Sequence, residues 1–156
     1  MKRQSKRHDQ PTDALGQALG RALANEFALY VATRGAHWNV TGLQFGALHA
    51  LFEQQYEALD EIIDELAERL RALGHRAPAT LGGYAKSCTI EDAAGEASEA
   101  KEMLAGLLAG HEALARELLA AADLADEADD SVSEDFLVSL AERHQKMAWM
   151  LRAHLS

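Results

Sequence analysis

The strongest constraint on the fold is an apolar stripe of helical period between residues 44 and 73. Along this segment one residue in every three or four falls on the same side of a helix, namely Leu48, Phe52, Gln55, Leu59, Ile63, Leu66 and Leu70. A helix about eight turns long with one apolar side is stable only when that side packs against other helices. Gly74 follows directly, and glycine commonly ends helices. The segment therefore predicts one long amphipathic helix over roughly 44–73.

Similar periodicity predicts three more long helices. The first begins at a cap on Thr12 or Asp13 and runs to about Asn39, and the third covers about 95–122. The fourth starts at Ser131, which forms a capping box with Glu134. Four long helices in one chain predict an all-α protein built as a four-helix bundle of ferritin-like type.

The connections between these helices differ in length and chemistry. Residues 75–92 contain Pro78 and a Gly-Gly pair, and this length predicts a crossing of the bundle with a short helix of its own. Residues 122–130, ADLADEADD, are predicted to form an acidic connection before the fourth helix. The N-terminal residues 1–11 lack apolar periodicity, so the predicted organisation is a flexible basic tail followed by one domain over 12–156.

The charge of the chain is distributed unevenly. The net charge at pH 7 is −10, yet Lys2, Arg3, Lys6 and Arg7 make the extreme N-terminus basic. An acidic body attracts cations and repels nucleic acid, whereas a short basic arm can bind DNA phosphates. Apolar runs long enough for a membrane span are absent, and the single Cys88 cannot form an internal disulfide. These features predict a cytoplasmic protein with no membrane partner.

A second face of the long helix carries metal-binding residue types. On a helical wheel His49, Glu53, Asp64 and Glu68 fall within about 100° of one another. Each of the pairs His49/Glu53 and Asp64/Glu68 has the i, i+4 spacing that lets two side chains reach one ion. The midpoints of the pairs are about 22 Å apart along the helix, so one ion cannot join them within a chain.

Two copies of this helix, antiparallel across a two-fold axis near residues 58 and 59, bring the pairs together. Each His49/Glu53 pair then faces the Asp64/Glu68 pair of the other copy, and His37 adds a second imidazole. Two imidazoles with three carboxylates suit a pair of iron ions. The alternative is a solvated acidic face, because this helix also carries several other acidic residues. The E-x-x-H pairs that build a di-iron site inside one bundle do not occur in the sequence.

The segment HWNVTGLQFGALHALFEQQYEALDEIIDELAERLRALG, which begins at His37, resembles the signature region of the Dps family, the DNA-binding proteins from starved cells or mini-ferritins. The closing stretch HQKMAWMLRAHL, from His144 to Leu155, also resembles that family. The order and lengths of the predicted helices agree with it over nearly the whole chain outside the tail.

The resemblance implies a ferroxidase site at the junction of two subunits. Its metal ligands and catalytic residues would be His37, His49, Glu53, Asp64 and Glu68, the last two supplied by the two-fold partner. The family commonly has aspartate at the position of Glu53, so this side chain is one methylene longer. Trp38, beside the site, would intercept stray oxidising radicals.

The resemblance also implies a hollow shell of twelve subunits. Two Fe²⁺ per inter-subunit site would be oxidised by hydrogen peroxide, with the ferric product stored inside and DNA thereby protected. Iron would enter through three-fold pores lined by Asp123, Asp126 and Asp130. The alternative function is non-specific DNA binding and nucleoid compaction through Lys2, Arg3, Lys6 and Arg7.

Overall fold

The computed structural model describes residues 9–91 and 93–156, and every described helix is an α-helix. The four long helices are α1 (Asp9–Asn39), α2 (Phe45–Ala72), α5 (Ala100–Glu127) and α6 (Ser131–Ala153). Two short helices, α3 (Leu81–Ser87) and α4 (Ala93–Glu96), lie in the long connection between α2 and α5. The predicted all-α fold with helix in its middle connection is therefore confirmed. Residues 1–8, with the four basic side chains of the predicted tail, lie outside the described residues.

The apolar stripe of α2 packs into the core as its period requires. Leu48, Phe52, Leu59, Leu66 and Leu70 are all buried. Ile62 is buried rather than the predicted Ile63, which lies at the edge of the core, because the stripe drifts slowly around a straight helix. Gly74 has a φ of +87°, and the amide of His75 donates to the Leu70 carbonyl at 3.0 Å. The helix thus ends where the sequence predicted, in a left-handed turn that glycine adopts at low cost.

The first helix begins earlier than its predicted cap. Its described part already includes Asp9, so Thr12 and Asp13 lie inside the helix, not at its end. Pro11 falls in the first turn, where the missing amide proton costs nothing. The predicted start was wrong because proline in a first helical turn does not terminate a helix.

The third long helix is displaced toward the C-terminus relative to its prediction. It starts at Ala100 and continues to Glu127, so most of the predicted acidic connection is helical. The continuation is stabilised by burial of Ala121, Ala122 and Ala125 against the core. The reversal is then made by Asp129, which has a φ of +56°, and by the Asp130 amide, which donates to the Ala125 carbonyl at 2.9 Å.

The capping residue of α6 is Asp130, one position before the predicted Ser131. The Asp130 carboxylate accepts from the amide of Ser133 at 3.1 Å, whereas Ser131 is already the first helical residue. The predicted capping box was therefore displaced by one residue, since aspartate caps at least as well as serine.

The long helices pack in two antiparallel pairs, α1 with α2 and α5 with α6, and α1 also packs against α5. In the described part of the chain, no helix combines the length and apolar character required to cross a bilayer.

Candidate metal centre

Two histidines meet where α1 passes into α2. His37 lies in the last turn of α1 and His49 in the second turn of α2, and their rings stack with centroids 3.7 Å apart and planes inclined by 19°. His37 Nδ1 donates to the His49 carbonyl at 2.8 Å, and His49 Nδ1 donates to the His37 carbonyl at 2.9 Å. A carbonyl oxygen only accepts, so both Nδ1 atoms carry protons. In the neutral rings both Nε2 atoms therefore keep a lone pair, which is the arrangement that a metal ligand needs.

The two rings are supported by aromatic side chains. Tyr56 lies edge-on to His37 with centroids 5.2 Å apart, and Phe45 stacks against His49 at 5.0 Å. The guanidinium of Arg34 lies 4.0 Å from the centre of the Tyr56 ring. These contacts hold both imidazoles in one orientation before any ligand binds, which lowers the entropic cost of binding.

Tyr56 connects Glu53 to the histidine pair, because it contacts both His37 and Glu53. The Tyr56 hydroxyl donates to Glu53 Oε1 at 3.3 Å, one helical turn beyond His49. Burial, followed by the charge of Glu53, raises the pKa of Tyr56, so this hydroxyl stays protonated and remains a donor. The contact orients one carboxylate oxygen of Glu53 toward the tyrosine and leaves the other available to a cation.

Asp64 and Glu68 remain remote from the histidines within one chain. Both are exposed, and α2 is continuous from Phe45 to Ala72, so the separation of about 22 Å expected from helical rise applies. Among the described residues, no group of three or more His, Cys, Asp or Glu side chains is close enough to bind a metal ion. A single subunit therefore does not bring the two predicted half-sites together.

Large apolar side chains near the histidine pair in the sequence are exposed. Trp38 is 67% exposed, and Leu43 and Phe45, a few positions further along the chain, are exposed as well. Trp38 follows His37 directly but points to solvent, without a hydrogen bond to either histidine. Exposed apolar side chains that form a patch are characteristic of a surface that another protein chain covers, and these three lie close together in the sequence.

The three aspartates predicted for a pore occupy different environments. Asp123 and Asp126 are exposed on the last two turns of α5, whereas Asp130 is engaged in structural contacts. Besides capping α6, Asp130 forms an ion pair with Arg69 at 3.1 Å. Partial burial opposes ionisation of Asp130, but the hydrogen bonds from Ser133 and the charge of Arg69 outweigh it and lower the pKa of this carboxyl. Asp130 therefore links the end of α2 to the start of α6.

A chain of buried polar side chains in the bundle interior was not predicted from the sequence. His144 Nε2 lies 2.8 Å from Glu26 Oε1, and His144 Nδ1 lies 2.9 Å from His111 Nδ1. All three side chains have no exposed surface. Glu26 and His144 are 118 positions apart and share no local spacing, so no sequence pattern joins them.

Comparisons with known proteins agree with this architecture. Residues 16–156 match the ferritin-like domain family. The DNA protection during starvation protein of Brevibacillus brevis is 39% identical over 137 residues, which cover 88% of this chain and 91% of that protein. The chain belongs to the Dps family of ferritin-like proteins.

Solved Dps structures superpose closely on this one. The Dps protein of Bacillus brevis is 36% identical, with a TM-score of 0.89, and the match covers 94% of this chain and 97% of that one. The Dps protein of Vibrio cholerae, described as a member of a broad superfamily of ferritin-like diiron-carboxylate proteins, is 34% identical with a TM-score of 0.89. That match covers 94% of this chain and 91% of the Vibrio cholerae chain.

Proposed function

We propose that this Dps protein oxidises Fe²⁺ with hydrogen peroxide at sites shared between two subunits and stores the ferric product in a closed shell. The observation that carries the proposal is the reciprocal hydrogen bonding of His37 and His49, which leaves a lone pair on Nε2 of each of two stacked imidazoles. A pair of histidines serving only to pack the core would be buried on all sides, whereas His49 is partly exposed.

The proposed site is completed by a second copy of the chain. Two α2 helices packed antiparallel would bring Asp64 and Glu68 of one subunit opposite His37 and His49 of the other. The exposed Trp38, Leu43 and Phe45 support a covered interface at this position. The site would then hold two Fe²⁺ as substrate, with imidazole favouring Fe²⁺ and carboxylates favouring Fe³⁺.

The residues of this chain divide the chemistry between them. His37 and His49 bind Fe²⁺ through Nε2, while Glu53, Asp64 and Glu68 balance the charge that the iron gains. Two Fe²⁺ lose one electron each, and one hydrogen peroxide takes up these two electrons and two protons to form two molecules of water. The two-electron step releases no hydroxyl radical, which is how such a shell would protect DNA.

Iron would reach the interior through acidic pores near the end of α5. Asp123 and Asp126 lie at the negative end of the helix dipole, and the last turn carries no basic side chain to offset them. Carboxylates repeated around a symmetry axis concentrate cations by focusing the electrostatic field. Asp130 is a weaker candidate for the pore because Arg69 already pairs with it.

DNA binding is the second candidate function. It is favoured by the basic residues Lys2, Arg3, Lys6 and Arg7 and by the DNA protection named for the Brevibacillus brevis relative. Such binding would neutralise phosphates without reading sequence and would weaken steeply with salt. A cytoplasmic, shell-forming protein that oxidises iron is consistent with both roles.

Anaerobic titration with Fe²⁺, followed by peroxide, tests the iron proposal. The wild-type protein is expected to oxidise about two Fe²⁺ per peroxide, and the assembled variant His37→Ala/His49→Ala is expected to oxidise iron slowly. His154→Ala, an exposed histidine at the end of α6, serves as the matched control. Oxidation at the rate of buffer alone by all three proteins would leave DNA binding as the better account.

A further inference from the structure

The bundle interior contains a hydrogen-bonded chain of three ionisable side chains. Glu26 comes from α1, His144 from α6 and His111 from α5, so the chain joins three of the four long helices. One oxygen of Glu26 and Nε2 of His111, at the two ends of the chain, are buried without a hydrogen-bond partner. The chain is distinct from the histidine pair at the metal centre.

The contact between the two histidines limits how many protons the chain can carry. Each Nδ1 faces the other at 2.9 Å, so one must donate and the other must accept. With His144 charged, its Nε2–H donates to Glu26 and its Nδ1–H donates to a neutral His111. With His111 charged, its Nδ1–H donates to a neutral His144. In either arrangement only one imidazolium fits, and a second would place two N–H groups against each other.

The surroundings offer nothing to stabilise a second positive charge. The buried polar and charged side chains of the described residues include one carboxylate, Glu26, and no lysine or arginine. The buried polar residue of α2 at this level is Gln55, whose amide donates to the Met147 carbonyl, three residues beyond His144. On α1 the neighbouring Asn25 bonds to Glu117 and Thr89, and Glu117 pairs with Arg21, so that carboxylate is engaged elsewhere.

The pKa of His111 agrees with this restriction. Burial, together with the charge of His144, holds the pKa of His111 well below its usual range. His111 therefore stays neutral while the protein is folded at neutral pH. Once the helices separate, water solvates the ring and it takes up a proton at its ordinary pKa.

We propose that Glu26, His144 and His111 form an acid-sensitive lock on the bundle. At neutral pH the chain ties α1, α5 and α6 together through hydrogen bonds that exclude water. In mild acid a second imidazolium would set two N–H groups against each other and add an unpaired charge to the core, so the His144–His111 bond breaks and these three helices separate. The lock is independent of iron and acts on the metal-free protein.

The replacement His111→Gln tests the lock, because glutamine can donate to or accept from His144 but cannot become charged. Circular dichroism against pH should show that this variant keeps its helices to a pH about one unit lower than the wild type does. The control variant His154→Gln also removes one histidine, but at an exposed position, and it should unfold at the same pH as the wild type. An identical midpoint for the wild type and His111→Gln would overturn the proposal.

A measurement on the unmodified protein covers the case in which His111→Gln does not fold. Amide hydrogen exchange is followed by mass spectrometry at pH 5.5 and 7.5, with correction for the intrinsic effect of pH. The lock predicts that peptides containing Glu26, His111 and His144 lose protection in acid before the peptides of α2. Equal protection of all four long helices at both pH values would contradict the lock.

Discussion

His37 and His49 hold each other in place through their own backbones. Each ring donates from Nδ1 to the main-chain carbonyl of the other residue, at 2.8 and 2.9 Å, although the residues lie on different helices. The same two bonds tie the end of α1 to the start of α2 and leave a lone pair on both Nε2 atoms. Closing the inter-helix connection and orienting the two rings of the candidate metal site are thus one structural event.

Replacing either histidine should therefore affect more than one ligand. In His49→Ala, His37 loses both its stacking partner and the donor to its carbonyl, and its ring keeps only the bond to the main-chain carbonyl of residue 49 and the contact with Tyr56. The rate of Fe²⁺ oxidation by peroxide should fall about 10- to 100-fold, the usual cost of losing groups that hold a metal ligand. Stopped-flow absorbance of the ferric product measures this rate. A rate unchanged from wild type would show that the pair does not bind iron.

Tyr56 should tune the site without binding metal. Tyr56→Phe keeps the edge-on ring beside His37 but removes the donor to Glu53. Anaerobic calorimetry should show Fe²⁺ binding about tenfold weaker, because the carboxylate loses its orienting hydrogen bond. Tyr84→Phe is the control, since that hydroxyl donates to the Pro78 carbonyl instead. Equal weakening in both variants would indicate a general effect on the fold.

Asp130 is predicted to matter for stability. Asp130→Ala removes the cap of α6 and the partner of Arg69, and should lower the free energy of unfolding by about 1–2 kcal/mol. The folded-state pKa of Asp130 is lowered, so its contribution is present above the unfolded pKa of about 3.9 and is lost as pH falls below it. Urea unfolding at pH 7 and at pH 3 measures both effects. An equal difference between wild type and variant at both pH values would contradict this account.

Asp126 is predicted to matter for iron uptake. Asp126→Asn leaves the fold intact because its side chain is exposed, but it weakens the field at the end of α5. Iron uptake at low ionic strength should slow several-fold and should slow less at high salt, where screening already weakens the field. Glu102→Gln, at the opposite end of the same helix, should have no effect. Equal rates of iron uptake for wild type and Asp126→Asn would show that Asp126 does not contribute to iron entry.

The buried His111 gives stability a defined pH dependence. Its pKa is lowered in the folded state, so below the unfolded value of about 6.5 the unfolded chain binds one more proton than the folded chain. The free energy of unfolding is unaffected above that pH and should fall by about 1.4 kcal/mol per pH unit below it. Urea titrations between pH 5 and 8 provide the slope. A flat profile across this range would show that His111 titrates freely.

The sequence predicted the elements whose signals are local. The apolar stripe of α2 and the glycine at its end are short-range patterns, and the structure bears out both. The end of α5 was misplaced because acidic residues normally favour a connection, whereas burial of Ala125 continues the helix. The sequence could not decide between Asp130 and Ser131 as the cap of α6. Both residue types cap helices well, and the backbone geometry decides between them.

Side-chain contacts between helices that are distant in sequence could not be predicted from local sequence patterns. Glu26, His111 and His144 are brought together only when α1, α5 and α6 pack, and each residue alone is unremarkable in sequence. The candidate metal centre was predicted only in part. The spacing indicated which side chains share a face, but the reciprocal bonds of His37 and His49 required the fold of the connection between them.

Co-assembly of two inactive variants tests the shared site most directly. His37→Ala/His49→Ala retains only the carboxylate half, and Asp64→Asn/Glu68→Gln retains only the histidine half. In a mixed two-fold dimer, one of the two sites receives both intact halves. Refolding the variants together in equal amounts should restore about a quarter of the wild-type rate of iron oxidation, while each variant alone remains slow. A mixture no faster than its parents, although fully assembled, would contradict a site built from two subunits.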